Sequence, residues 1–210
     1  MCSIIASFSA EKFKELYALN AYRGTLTSSF TVLDEDSEVV TLNRFDDPDK
    51  MFKVIESSIF DGDTGCYFVG HSQAPTTANS GIHPAEEGAA LLWHNGIVKE
   101  SDITAWNTRL NTNFVWDTEL ILHLYNLYGF SILSSIDGSF ACIMHEHNNL
   151  FVFRNALAPL FYDKQLNISS TKFVGAKPLP ADTVFKINIH TREITDWNIP
   201  FITKNNPYSI

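Results

Sequence analysis

The order of strand-like and helical segments constrains the fold of this chain more than any single residue does. Apolar runs of strand character stand at both ends, helical periodicity gathers in the middle, and strand–helix–strand alternations are few. A doubly wound parallel sheet needs those alternations, so the layout argues for an α+β fold of mainly antiparallel sheets.

Taken in order, residues 3–9 (SIIASFS) read as a buried strand, and 9–20 as a helix capped by Ser9 with Glu11 in its first turn. Strands 28–33 and 38–43 flank the turn Asp34-Glu35-Asp36, and Asp46 opens a short helix through Phe60. A strand at 65–71 runs into a long irregular stretch, 72–88, of the kind usually kept for function. The strand 89–94 ends on Asn95-Gly96, a dipeptide typical of hairpin turns. A short amphipathic piece lies within 97–116. A helix follows over 117–128, capped by Asp117 or Thr118, with Leu120, Ile121, Leu124 and Leu127 inward. Residues 131–137 close a helical segment. Strands 139–146 and 150–154, the short pieces 161–162 and 168–169, and a final pair, 182–189 and 193–197, complete the chain. From about residue 198 the two prolines and adjacent asparagines predict a loosely packed tail.

Composition sets the bounds. With 210 residues, 45% hydrophobic and 13% aromatic, the chain suffices for one well-buried domain over residues 1–210. A net charge of -9 with 15 Lys+Arg, and no basic stripe, argues against nucleic acid and anionic membrane as partners. No apolar run has the length of a membrane span, and the N-terminus lacks signal-peptide features. Cys2, Cys66 and Cys142 form neither a CxxC pair nor a metal spacing, so the expectation is reduced cytosol, with no metal and no cofactor.

Cys2 stands directly behind Met1, where aminopeptidases remove Met before a small residue. The freed residue would carry a thiol and an α-amine of pKa about 8 able to take its proton, a self-contained nucleophile and base. On those residues alone the bland reading, one more small residue at a start codon, is the simpler. Other polar groups stand at strand ends and helix starts: His71 to Thr76 with His83, His94-Asn95-Gly96, and Asp117-Thr118-Glu119. Each alone has an ordinary structural explanation.

Their order carries more. Met1-Cys2, Arg23-Gly24, Gly70-His71 through Thr76, His94-Asn95-Gly96 and Asp117-Thr118-Glu119 together resemble the class II glutamine amidotransferase domain, an N-terminal-nucleophile hydrolase. Arg154 to Tyr162, Ser169 to Lys172 and Pro180-Ala181-Asp182 are similar to later segments of the same domain in asparagine synthetases and glucosamine-6-phosphate synthase. The resemblance runs from residue 2 to about 197. It implies a four-layer αββα sandwich of two antiparallel sheets. It also implies a cytoplasmic glutaminase in which Cys2 attacks the glutamine side-chain amide, forms a thioester and releases ammonia. Asn95 and Gly96 would supply the oxyanion hole, Asp117 would bind the substrate ammonium, Thr76 and His83 would line the pocket, and Arg23 would steady Cys2.

Three positions depart from the pattern. Ser3 replaces the usual Gly after the cysteine, and Asn155 replaces an Asp. Gln73 stands where the family has an Arg that grips the substrate carboxylate. Arg makes a bidentate, charge-assisted contact that a neutral amide cannot. Arg23, Lys99 and Arg109 are the alternative cations; otherwise glutamine binds weakly, or the substrate is another amide. No phosphate-binding Gly-rich loop is present, so the expected ammonia acceptor is a separate synthetase. A non-catalytic binding module with the same fold is the remaining reading.

Overall fold

Strand β1 (Ser3–Ser7) is buried at every position, because both of its faces are covered. Ile4 and Ala6 point into one apolar cluster and Ile5 into another, as the two-residue period of a strand requires. A computed structural model describes residues 2–57, 65–74 and 81–206, and β1 lies near the middle of the larger of its two sheets.

In chain order, β1 is followed by α1 (Ala10–Asn20), β2 (Thr27–Leu33), β3 (Val39–Phe45), α2 (Pro48–Ser57) and β4 (Tyr67–Gln73). Next come β5 (Ala85–Glu87), β6 (Ala90–Val98), α3 (Glu100–Leu110), α4 (Asp117–Tyr128) and a 3-10 turn at Gly129–Ser135. The rest is β: β7 (Gly138–Glu146), β8 (Asn149–Arg154), β9 (Phe161–Tyr162), β10 (Ile168–Ser169), β11 (Lys177–Pro178), β12 (Thr183–Asn188) and β13 (Glu193–Pro200). The seven-stranded sheet runs β11-β9-β10-β1-β4-β2-β3 and the six-stranded sheet β13-β12-β8-β7-β6-β5. All their pairings are antiparallel.

Three apolar clusters stack these elements into an αββα sandwich. Phe13, Leu16, Met51 and Ile55 of α1 and α2 pack on Ile5, Phe30 and Phe68 of the first sheet. Ile4, Val69 and Leu33 of that sheet meet Trp93, Ile143 and Val152 of the second. Leu120, Ile121 and Leu124 of α4 cover Leu92, Phe140 and Phe153 on its outer face. The fold is α+β with two antiparallel sheets, as expected.

Several local expectations need correction. The strand ending at Asn95-Gly96 instead runs on to Val98, and both residues pair with β7, opposite Ala141 and Phe140. No hairpin is made there. A Cβ on Gly96 would lie 1.9 Å from the Ser139 carbonyl oxygen, so glycine serves close strand approach rather than a turn. The stretch 72–88 is shorter than expected at both ends, since Gln73 closes β4 and Ala85 opens β5. The cap of α4 is Trp116, without a side-chain bond, and Asp117 is its first residue. Leu127 is 50% exposed rather than inward. The helix expected through Phe60 is described to Ser57; its remainder lies outside the described residues.

The tail differs most. Residues up to Pro200 extend β13, and Phe201 is buried against Phe140. Thr203 Oγ1 accepts from the Ala156 amide at 2.8 Å, and Lys204 Nζ reaches Asp102 and the Ser135 carbonyl, each at 2.9 Å. The segment through Asn205 is therefore anchored, because one large apolar side chain and a row of polar contacts offset its turn-prone composition.

Candidate active site

β1, β4 and β6 bring the singled-out residues together. Ser3 pairs with Ser72 and Ile4 with His71, which sets Gln73 and Ala74 beside Cys2. The Cys2 side chain is 6% exposed, and its thiol accepts from the Ala74 backbone. Burial pushes that thiol's pKa above its usual 9.0, while the Ala74 hydrogen bond and Arg23 pull the other way. The resting group is thus a neutral thiol that must lose its proton to become a nucleophile. Arg23 Nε donates to the Cys2 carbonyl oxygen at 3.0 Å from just beyond the C-terminus of α1. Gly24, next in line, lies so close to the Ser72–Gln73 backbone that a Cβ would stand 2.4 Å from the Ser72 carbonyl carbon.

Asn95 and Gly96 face this site from the second sheet. The Asn95 Nδ2 donates to Ser170 Oγ at 3.1 Å, and the same oxygen accepts from the Ile4 amide at 2.9 Å. Along a strand, successive peptide groups point to opposite sides. The His94 carbonyl accepts from His71 Nε2 (2.9 Å), and the Val98 amide donates to Asp117 Oδ2 (3.1 Å), both on the side of β6 away from β7. Gly96 lies between them with the same parity, so its N–H points to that side also.

Asp117 is held among buried partners. Its carboxylate takes the Val98 amide, and its Oδ1 lies 3.7 Å from His94 Nδ1. Burial alone would raise its pKa; the His94 ring and the hydrogen bonds from Val98 and Thr118 outweigh that and lower it. Thr118 Oγ1 is shared by His83 Nε2 and His94 Nδ1, each at 3.2 Å. His83 stacks on His71 with ring centroids 3.6 Å apart, so it is sealed in a histidine pair. Burial lowers the pKa of His71 to about 3 and that of His83 well below 6.5, so both rings are neutral at pH 7.

Gln73 is buried, and its Oε1 accepts from Thr27 Oγ1 at 2.8 Å. Of the alternative cations, Lys99 pairs with Asp137 at 2.8 Å and Arg109 lies over the Trp106 ring, while Arg23 holds the Cys2 carbonyl. Thr76 lies outside the described residues. Among the described residues no group of His, Cys, Asp and Glu has a metal-binding arrangement. A cavity of about 430 Å³ between α1 and α2, lined by Tyr17, Gly24, Asp47 and Phe52 among others, includes none of the site residues.

Two structural contributors have roles that a sequence reading does not assign. Ser170 falls in the motif-like segment Ser169 to Lys172, but its partners lie 166 residues away at Ile4 and 75 away at Asn95. Arg44 of β3 clamps the segment that bears His83, donating to the carbonyls of Ile82 (3.0 Å) and Pro84 (2.8 Å) and pairing with Glu86. Its surroundings on an exposed edge strand gave no signal. Asn155, which departs from the family pattern in sequence, organises the start of the loop after β8. Its Oδ1 accepts from the amides of Phe140, Leu157 and Ala158, and its Nδ2 donates to Gly138 O at 2.7 Å.

Residues 73–175 match the glutamine amidotransferase domain. The glutamine–fructose-6-phosphate aminotransferase (isomerizing) of Staphylococcus aureus is 27% identical over 146 residues, covering 64% of this chain and 24% of that protein. Among solved structures, glutamine phosphoribosylpyrophosphate amidotransferase from B. subtilis, complexed with ADP and GMP, superimposes with TM-score 0.66 at 16% identity, over 95% of this chain and 50% of that one. A structure described as the allosteric regulatory enzyme of purine biosynthesis gives 0.64 at 19% identity, with the same coverage. The chain spans about a quarter of the curated relative and half of each solved chain. Among the described residues no helix is long and apolar enough to cross a membrane.

Proposed function

From the premise that this chain carries a glutamine amidotransferase domain with the fold of the solved amidotransferases, we propose that it hydrolyses the glutamine side-chain amide through Cys2. With Met1 removed, the α-amine of Cys2 takes the thiol proton as sulfur attacks the carboxamide carbon. The carbonyl oxygen becomes an oxyanion facing the second N–H of Asn95 and the Gly96 N–H. Collapse expels ammonia, which leaves with the proton held by the amine, and a thioester remains. Water then adds to the thioester and releases glutamate and the thiol. Asp117 binds the substrate ammonium, while Arg23 fixes the backbone of the nucleophile. His83 and Gln73 shape the pocket walls.

The observation that carries this reading is the convergence of Cys2, the Asn95-Gly96 pair of β6 and Asp117 of α4 onto one site, in which Cys2, Asn95 and Asp117 are buried. A neutral thiol fits it, because the proposed base resides on the same residue. The domain covers only part of its relatives, and the ammonia it releases is proposed to feed a synthetase, on a separate partner in our reading. We also assign residues 1–210 to one domain working in the cytoplasm.

The test is glutamate release by protein whose Met1 removal has been verified by intact mass, beside Cys2→Ala. Activity in the first and none in the second is expected. Equal rates, with or without a candidate synthetase, would sink the proposal in favour of a non-catalytic module.

One observation favours a second substrate. Gln73 is neutral, buried and tied to Thr27, so a carboxamide without a free α-carboxylate suits that wall better than a zwitterion. Faster turnover of glutamine amide than of glutamine by the same thiol would select it.

A further inference from the structure

The nucleophile and the oxyanion donor of the proposed reaction stand on different sheets. Cys2 precedes β1 of the first, and Asn95 lies in β6 of the second. The hydrogen-bond ladders of two separate sheets cannot set the distance between them; only side chains crossing the gap can. Ser170 makes such a crossing. Its hydroxyl accepts from the Ile4 amide at 2.9 Å and from Asn95 Nδ2 at 3.1 Å, and it is 1% exposed. A serine hydroxyl has two acceptor positions, and these two N–H groups fill both.

We propose that Ser170 is a positioning residue, which locks the Asn95 carboxamide in register with the strand that presents Cys2. The inference rests on the reaction assigned above. One Asn95 N–H is held by Ser170, leaving the other to meet the developing oxyanion. Without the hydroxyl the carboxamide turns about its side-chain torsions, and the donor reaches the transition state poorly oriented. The bland alternative is that Ser170 merely secures β1 against the chain beyond β10. Its backbone already does so, since Ser170 N donates to Ile4 O at 3.0 Å independently of the side chain. The hydroxyl's own bond from the Ile4 amide adds to that anchoring, so the two roles are separated by removing the hydroxyl both with and without the Asn95 side chain.

The experiment compares the processed chain with Ser170→Ala, Ser170→Thr, Asn95→Ala and the Ser170→Ala/Asn95→Ala double variant. Ser170→Ala is expected to lower kcat about 30-fold with KM nearly unchanged, since misorienting a transition-state donor costs less than deleting it. Ser170→Thr keeps the hydroxyl and should recover most of the rate. In the Asn95→Ala background the serine substitution should cost nothing further. A fall of the same size in both backgrounds, or a change in KM alone, would overturn the proposal. A readout free of glutamine chemistry keeps the two readings apart: hydrogen exchange of the Asn95 side-chain amide, followed by NMR. Faster exchange in Ser170→Ala supports the lock even if the wild type proves inactive on glutamine. Unchanged exchange overturns it even if the enzyme is active.

Discussion

At the scale of single residues, the three cysteines differ sharply in what surrounds them. Burial raises the pKa of Cys2 above 9.0 and that of Cys142 well above it, while Cys66 is half-buried. Cys142 sits fully enclosed in β7, so it combines a protonated thiol with no access. Iodoacetamide should therefore modify Cys66 first at pH 7.5 and Cys2 slowly, with Cys2 accelerating as pH rises past 9, and Cys142 only on unfolding. Peptide mapping by mass spectrometry reads the order, and rapid labelling of Cys142 in the native protein would contradict this picture. Asn155 offers a second residue-scale test. Its Nδ2 is the only part of the side chain that can donate, and it does so to Gly138 O. Asn155→Asp keeps the shape but turns that contact into oxygen against oxygen in a fully buried site. A loss of about 2 kcal/mol in urea unfolding is expected at pH 7; a neutral outcome would mean that the loop accepts an acid there.

At the scale of elements, β6 is the segment whose integrity matters most, because alternate peptide groups along it hold His71 and Asp117 and, in the proposed reaction, face the oxyanion between them. Gly96→Ala forces a methyl group into the Ser139 carbonyl of β7. The expected cost is about 3 kcal/mol, as for an overpacked core with little room to yield, together with loss of activity. Thermal unfolding and glutamine turnover measure the two. Elements of this kind divide into those written locally and those that are not. The cap of α1 and the extent of α4 follow from residues within a few positions of each other: Ser9 accepts from the Lys12 amide, and α4 spans 117–128 as its periodicity predicts. Asn95-Gly96 misleads for the opposite reason. The dipeptide favours a turn by itself, yet the approach of Ser139 from 43 residues away decides its conformation. Phe201 likewise follows a proline and precedes two asparagines, so only the presence of Phe140 beneath it reveals a core residue. The site divides in the same way. Cys2, Asn95 and Asp117 stand out through an ordered set of short motifs; Ser170 lies in a motif too, the segment Ser169 to Lys172, but its link between Asn95 and the nucleophile strand is a property of the folded arrangement alone.

At the scale of the whole molecule, neutral buried histidines couple its stability to pH. His71 lies between the sheets with its Nε2 against the His94 carbonyl, stacked on His83, and His83 in turn faces Thr118 and Trp116 with Arg44 nearby. His145 is a third, lowered chiefly by burial beside the Ser37 carbonyl. Each has a folded pKa below the unfolded value of 6.5, about 3 for His71. Between those values the unfolded chain binds more protons than the folded one, so stability must fall as pH falls through that window. The contribution is complete above about pH 6.5. At pH 5 His71 alone has lost about 2 kcal/mol, from 1.5 pH units at 1.36 kcal/mol each. Asp117 belongs to a different window: its pKa is lowered from 3.8, so its contribution disappears only at more acid pH. Urea midpoints should thus hold between pH 7.5 and about 6.5 and decline from there to pH 5, above the window to which Asp117 belongs. His71→Asn, which keeps a donor toward the His94 carbonyl, should start less stable at pH 7.5 and show a shallower decline. A midpoint constant from pH 7 to 5 would mean that these rings keep their charge on folding, and that the histidine pair between the sheets is not closed to protons.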